Sequence, residues 1–271
     1  MNADNAMGLI GVAILATWLL QTSLGRRSLV DSQPRRNSMA PYVPFIPFLA
    51  WFLGIFFIQS AVDSFIRPVD GTPKVFQDQA VYCGAAVLTI VGLILPLAHF
   101  HFARGLKGFG LRIRTIPRDF VAACVTLLAV WPLVLAAIVA TTLIGKLISL
   151  WFWGQDFEMP QHEALEQMTQ HPRAAFQILL ILLAVVIAPL TEEMIFRGFF
   201  QTMIRSYLGR PWPAIVMTSV LFAMVHGNPT HWPALFVLSV AMGYAYEKSG
   251  SLWQPLFIHA MFNGLSVVST I

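Results

Sequence analysis

Charge is what this sequence has little of. Only 11% of its 271 residues are charged, 13 acidic and 17 basic. A soluble domain carries about 25%, and so few charges cannot cover a water-soluble chain of this length. Cysteine is nearly absent. Cys83 and Cys124 sit in apolar runs and read as small buried hydrophobes; no disulfide framework or zinc–cysteine spacing is present. The HExxH signature of helical zinc proteases is missing, as are internal repeats and low-complexity tracts. No basic residue precedes the first apolar run, the first being Arg26. Met7–Leu24 is therefore expected to be a retained helix rather than a cleaved signal. The isoelectric point of 9.3 does not argue for nucleic acid as a partner. The basic residues lie between apolar runs, which is a topology pattern.

What is abundant is apolar sequence: 57% of residues are hydrophobic and the mean hydropathy is +0.69. A bilayer core needs about 20 mostly apolar residues per helix. The candidate runs are Met7–Leu24, Val43–Ile66, Ala80–Ala103, Phe120–Gly145, Ala174–Pro189, Trp212–Val225, His231–Tyr246 and Leu252–Thr270. The sixth and seventh are short and need tilt or shelter among other helices. The expected fold is all-α, a polytopic membrane helical bundle of about eight transmembrane helices with the lipid bilayer as its surroundings. One membrane domain, 1–271, is the simplest organisation, with N-terminal helices and a polar loop over 1–172 and a carboxy-terminal core over 173–271.

Basic residues set the orientation. With the N-terminus outside, the inside segments hold 13 of the 17, including Arg26, Arg35, Arg36, Arg104, Arg112 and Arg205; outside are Arg67, Lys74, Lys146 and Arg173. This predicts a multi-pass protein of a bacterial-type inner membrane with both termini outside. The loop from Lys146 to Pro172 carries Trp151, Phe152 and Trp153, suited to a membrane interface, and the solvated histidines His162 and His171. His99 and His101 read as interfacial. The Ser28–Pro44 stretch reads as a connector.

The informative residues begin at Ala174. An apolar run leads into TEEMIFRGFFQTMIRSYLG without a turn signal, until Gly209 and Pro211 stop it; Pro189 is expected to kink the helix. Glu192 and Glu193 thus lie deep in a long apolar helix, where each charge costs about 2.5–3.5 kcal/mol on insertion scales. Arg197, four residues after Glu193, can pair with it. Glu192 is rotated off that face and has no evident helical partner, which suits a group that accepts and returns a proton. Glu193 lies 16 residues before Gly209 and His226 lies 17 after it. At about 1.5 Å per residue both stand roughly 24–26 Å from the turn, level in an antiparallel hairpin, with Phe222 one turn before His226 to pack beneath its ring. The last run carries His259 and Asn263, four residues apart on one face; imidazole and amide donors in a dry cavity can hold a developing oxyanion. His231 reads as a histidine at a cavity mouth.

These residues spell EEMIFR (Glu192–Arg197), FAMVH (Phe222–His226) and HAMFN (His259–Asn263). In this order they resemble the CPBP family of intramembrane proteases, which includes type II CAAX prenyl endopeptidases and bacteriocin-processing or self-immunity proteins. The likeness covers about 100 residues from Ala174, and GFGLRIRTIPRDF upstream resembles the family's linker. The resemblance implies an intramembrane endopeptidase acting on membrane-associated peptides or proteins, CAAX-type lipidated ones among them. Glu192 would be the general base, with His226 sharing the water. His259 and Asn263 would hold the oxyanion, and Glu193 and Arg197 would shape the site. The family has long been called metalloproteases. Zinc (Zn2+) would take His226, His259 and Glu192 as ligands, but Asn263 is a poor ligand, so catalysis without a metal or other cofactor is the expected form. Two other functions fit the composition: a catalytically silent scaffold or bacteriocin-immunity protein of the same fold, and a proton-coupled transporter. The transporter reading lacks the paired broken helices such folds carry.

Overall fold

The computed structural model describes residues 3–23, 25, 27–65, 74–157, 160 and 174–268. Each apolar run forms a helix: α1 (Ala3–Gln21), α2 (Phe45–Phe65, interrupted at Leu53), α3 (Lys74–His101), α4 (Ile116–Trp153), α5 (Ala174–Leu208), α6 (Pro211–Met224), α7 (Trp232–Ser249) and α8 (Trp253–Val268). Among the described residues there is no strand beyond one isolated bridge, Asn37 with Phe102. Among the described residues, four stretches are long and apolar enough to cross a membrane: α2, α3, α5, and 106–153, which contains α4. The α1 portion Met7–Gln21 and α6 are shorter apolar helices. At about 1.5 Å per residue, the 14 residues of α6 reach about 21 Å, less than the roughly 30 Å hydrocarbon core. α6 buries Ile215, Ser219 and Phe222 against its neighbours and leaves Val216, Met217, Val220 and Met224 exposed on its other face.

Helix ends follow local chemistry. Gly209 adopts the left-handed conformation (φ 67°) and Pro211 opens α6, so α5 stops where the sequence says it should. α4 ends later than its apolar pattern. Nothing halts it before Gly154 (φ 63°), so Trp151, Phe152 and Trp153 form its exposed last turn rather than part of a loop. Arg26, Arg67, Asp70, Glu158, His162, Glu163, Glu166, His171, Pro172 and Arg173 lie outside the described residues.

Two prolines are carried within long helices by the same device. Pro96 and Pro189 each follow a five-residue π-helical turn, Ile90–Ile94 and Leu183–Ile187. A proline ring clashes with the carbonyl four residues back and offers no N–H. The wider turn sidesteps this, since Leu95 N–H bonds to Ile90 O and Ala188 N–H to Leu183 O, each five back. A longer π segment, Met194–Gln201, follows the two glutamates.

The packing is set by polar groups, because lipid tails are as apolar as leucine and supply little drive for helix association. Large hydrophobics such as Val121, Leu143 and Leu147 face outward on α4. A polar stripe at four-residue spacing runs down the inner face of α5: Glu193, Arg197, Gln201 and Arg205, all buried. Three of them meet α7 partners that are also four apart. Arg197 Nη2 donates to Ser239 Oγ (2.7 Å) and O (3.2 Å), Gln201 Nε2 donates to Gly243 O (2.9 Å), and Arg205 Nε lies 3.9 Å from Glu247 Oε2. The constant 42-residue offset means that the two helices run parallel and in step. Interhelical bonds of this kind contribute about 0.6 kcal/mol each on average.

The Ser28–Pro44 stretch is more than a connector. Arg35 stacks on the Tyr246 ring (3.4 Å to the centroid) and donates to Tyr246 O, while Ser28 O and Ser32 O accept from Lys248 and Arg205. It straps the base of α5 and α7. Phe109, in the linker before α4, is fully buried against Gly198, and Gly110 O accepts from Leu252 N–H. The main core joins residues from both halves of the chain, from Met39, Ile94 and Leu127 to Phe199, Leu238 and Ile258.

Gly243 of α7 packs closely on its neighbours: a Cβ there would meet Gln201 Oε1 of α5 at 2.8 Å and Ile215 Cγ2 of α6 at 3.0 Å. Gln201 is fully buried and cannot swing away. Gly243→Ala is expected to lower stability by about 1–3 kcal/mol, read as a drop in thermal midpoint of the detergent-purified protein.

Candidate active site

Three helices bring their ionisable groups to one place. α5 carries Glu192 and Glu193 in the turn after Pro189, both buried. His226 follows the end of α6, held by its own carbonyl, which accepts from Trp232 Nε1 (2.7 Å). His259 sits mid-way along α8 and is 4% exposed. The hairpin arithmetic holds: His226 Nε2 and His259 Nε2 both lie 3.9 Å from Glu192 Oε2. Phe222 packs against both rings, at 4.8 Å from His226 and 5.6 Å from His259 between centroids.

The inner layer is an ion-paired buttress. Glu193 Oε1 accepts from Arg197 Nη1 (2.8 Å) and from His259 Nδ1 (2.9 Å). The Arg197 guanidinium also lies over the Phe222 ring, 4.6 Å from its centroid, a cation–π contact. Both Glu193 and Arg197 are fully enclosed. Glu193 is therefore closed off from the surface and holds the His259 ring through Nδ1, as carboxylates hold imidazoles elsewhere.

Hydrogen bonding fixes both imidazole tautomers. His226 Nδ1 lies 2.7 Å from Phe222 O; a carbonyl can only accept, so the hydrogen is on Nδ1. The His259 Nδ1 contact with the Glu193 carboxylate has the same consequence. In the neutral rings both Nε2 atoms are bare acceptors, and they converge on Glu192 Oε2. That oxygen is itself buried without a hydrogen-bond partner. Its position between two ring nitrogens is suited to a small polar species. The side chain of His226, 22% exposed, is the most open of the three. The groove of about 370 Å³ along α1, from Ala13 to Gln21, contains none of these residues.

Asn263 shares a face of α8 with His259, yet its amide is committed elsewhere: Nδ2 donates to Ala184 O at 2.8 Å. The reason lies in α5. Ala188 N–H bonds to Leu183 O, and the next residue, Pro189, has no N–H for the Ala184 carbonyl. Asn263 supplies the missing donor and pins α8 to the turn that carries the glutamates. One of its two amide hydrogens remains for other use.

The donors that could hold a metal are His226 Nε2, His259 Nε2 and Glu192 Oε2. Among the described residues, no group of three His, Cys, Asp or Glu side chains has a metal-holding arrangement. His231 stands at the hairpin tip, where its Nε2 contacts Pro160 O at 3.0 Å. The α5–α7 ladder and the Ala184 carbonyl had a trace in the sequence, in the four-residue spacing of Ser239, Gly243 and Glu247 and in Pro189 five residues after Ala184.

Residues 174–265 match the family model described as type II CAAX prenyl endopeptidase Rce1-like. An Escherichia coli protein named "Uncharacterized 24.3 kDa protein" is 27% identical over 116 residues, 41% of this chain and 54% of its own length. The Bacillus subtilis protein named "Putative membrane peptidase YdiL" is 24% identical over 90 residues, 33% of this chain and 36% of its own. The chain thus spans about half the length of the first relative and about a third of the second. No solved structure matches. With its apolar helices, this is an integral membrane protein whose carboxy-terminal third resembles a CAAX endopeptidase domain.

The enclosed pair yields a stability test. Arg197→Met leaves Glu193 buried without its cation and is expected to lose about 3–5 kcal/mol. Adding Glu193→Gln is expected to recover much of that loss in thermal unfolding, because no isolated charge then remains.

Proposed function

We propose that this protein is an intramembrane endopeptidase that hydrolyses peptide bonds of membrane-associated substrates, CAAX-type lipidated peptides among them. The observation that carries the reading is the buried, unpartnered Glu192 Oε2 set 3.9 Å from two bare imidazole nitrogens. The likeness of residues 174–265 to CAAX prenyl endopeptidases and of the chain to a protein named a membrane peptidase supports it. The basic-residue pattern supports both termini outside, in what we propose is a bacterial-type inner membrane.

In this reading a water donates one hydrogen to Glu192 Oε2 and the other to His226 Nε2. Glu192 takes its proton as the water oxygen attacks the scissile carbonyl carbon, and the carbonyl π pair moves onto oxygen. His259, in its protonated form, and the remaining amide hydrogen of Asn263 face the developing charge. Collapse re-forms the carbonyl and breaks the C–N bond, and Glu192 returns the proton to the leaving amine. Glu193 and Arg197 hold His259 in place.

Spacing favours water over zinc. A water about 2.8 Å from both atoms of a 3.9 Å pair subtends roughly 90°. A zinc ion at about 2.0–2.1 Å would need roughly 145°, far from tetrahedral. We therefore propose a glutamate-dependent, metal-free enzyme.

Two measurements test this. Purified protein presented with a peptide library is expected to show cleavages that fall by about 10²–10⁴-fold in Glu192→Gln; identical cleavage patterns in the two would remove the enzyme reading and leave a scaffold. Strong chelation is expected to leave the wild-type rate unchanged, with no stoichiometric metal by elemental analysis. Loss on chelation restored by added zinc would establish a metalloenzyme instead.

A further inference from the structure

Glu192 and Glu193 take their backbone from within α5, and His259 takes its own from within α8. His226 has no such support. α6 ends at Met224, and His226 stands in the bend that follows. Its N–H still bonds to Ala223 O at 3.2 Å, but the next residue is a glycine with open space around it: a Cβ at Gly227 would meet nothing within 4 Å. Loop positions are the more mobile part of a scaffold, and a shift of about 1 Å in a reacting group can cost about 10²-fold in rate. A histidine that shares the attacking water therefore needs a hold from outside α6.

Trp232 supplies that hold. It is the first residue of α7, and its indole Nε1 donates to the His226 carbonyl oxygen at 2.7 Å. An indole nitrogen can only donate, and this length is at the short end of the N–H···O range. The bond reaches back across the hairpin tip and ties the His226 backbone to an 18-residue helix. The tip between them is closed by its own bonds. Asn228 Oδ1 accepts from Thr230 N–H (3.0 Å) and Thr230 Oγ1 (2.7 Å), and Asn228 O accepts from His231 N–H (3.1 Å). The His226 ring is turned from the other side by Phe222 O, 2.7 Å from Nδ1. The ring is thus aimed by α6 while the backbone that carries it is anchored by α7. Between them they set Nε2 3.9 Å from Glu192 Oε2.

We propose that Trp232 is a positioning residue of the hydrolysis: its indole N–H, bonded to the His226 carbonyl, keeps His226 Nε2 at the distance from Glu192 at which one water bonds to both. The role rests on the protease reading above and deepens it. In this role Trp232 touches neither the water nor the substrate, and no proton passes through it. It acts on the rate through His226, as Glu193 and Arg197 act through His259.

The test compares steady-state cleavage of one library-derived peptide by wild type, Trp232→Phe, Trp18→Phe, His226→Ala, the double variant of His226→Ala with Trp232→Phe, and Glu192→Gln. Trp232→Phe removes the donor and is expected to lower kcat by about 10–10²-fold with KM nearly unchanged. Trp18 Nε1 donates to Tyr244 Oη at 3.0 Å, so Trp18→Phe loses a comparable interhelical bond and is expected to keep kcat. A residue that acts through His226 has nothing to act on once that imidazole is gone. Adding Trp232→Phe to His226→Ala is therefore expected to lower kcat no further. Unchanged kcat in Trp232→Phe, a rise in KM alone, an equal loss in Trp18→Phe, or the full loss repeated in the double variant would each overturn the role. If Trp232→Phe does not fold, or His226→Ala turns over too slowly to measure, the Trp232 indole is replaced by a benzothiophene of the same shape, with sulfur in place of N–H. The same drop in kcat is then expected, and an unchanged kcat overturns the role. Equal activity in wild type and Glu192→Gln would instead sink the protease reading beneath it.

Discussion

The Glu193–Arg197 ion pair is the interaction on which the rest of the structure depends. Two opposite charges in an apolar interior are costly to desolvate and are tolerated only when geometry and further hydrogen bonds compensate. Here every neighbour contributes. Glu193 Oε1 accepts from Arg197 and His259, and Arg197 reaches Ser239 on α7 and lies over Phe222 on α6. One pair therefore fixes the positions of four helices relative to one another. It sets the tautomer of His259 and, through the α5–α7 ladder, the alignment of two parallel helices. The charges are both the cement of the bundle and the frame of its site.

Around that pair, backbone irregularity is put to use. Pro189 demands a widened turn, and the widened turn strands the Ala184 carbonyl. Asn263 meets it from α8. A proline that would break a helix in isolation becomes the reason that α8 is held against α5. The glutamates immediately follow this turn and precede a second π segment. Such segments recur at functional sites because they re-aim side chains without breaking the helix.

The division of labour in the site follows from donors and acceptors. Glu193 and Phe222 O take the Nδ1 hydrogens, so both imidazoles turn bare nitrogens toward Glu192. That geometry suits a water losing a proton. The amino-terminal helices pack into the same core as the motif-bearing third.

The sequence by itself determined the class, the helices and most of the constellation. Scarce charge and eight apolar runs require a membrane bundle, Gly209 with Pro211 requires the turn after α5, and helix rise alone put His226 level with the glutamates. These are local or one-dimensional constraints, readable from spacing. The tertiary structure decided what depends on which face meets which. It extended α4 to Trp153, turned the Ser28–Pro44 connector into a strap, and gave the Asn263 amide to a carbonyl 79 residues away. A tryptophan or tyrosine in an apolar run looks the same whether it faces lipid or a carbonyl. Only the rotation of its helix in the assembled bundle distinguishes the two, and that rotation is set by contacts between residues far apart in the chain.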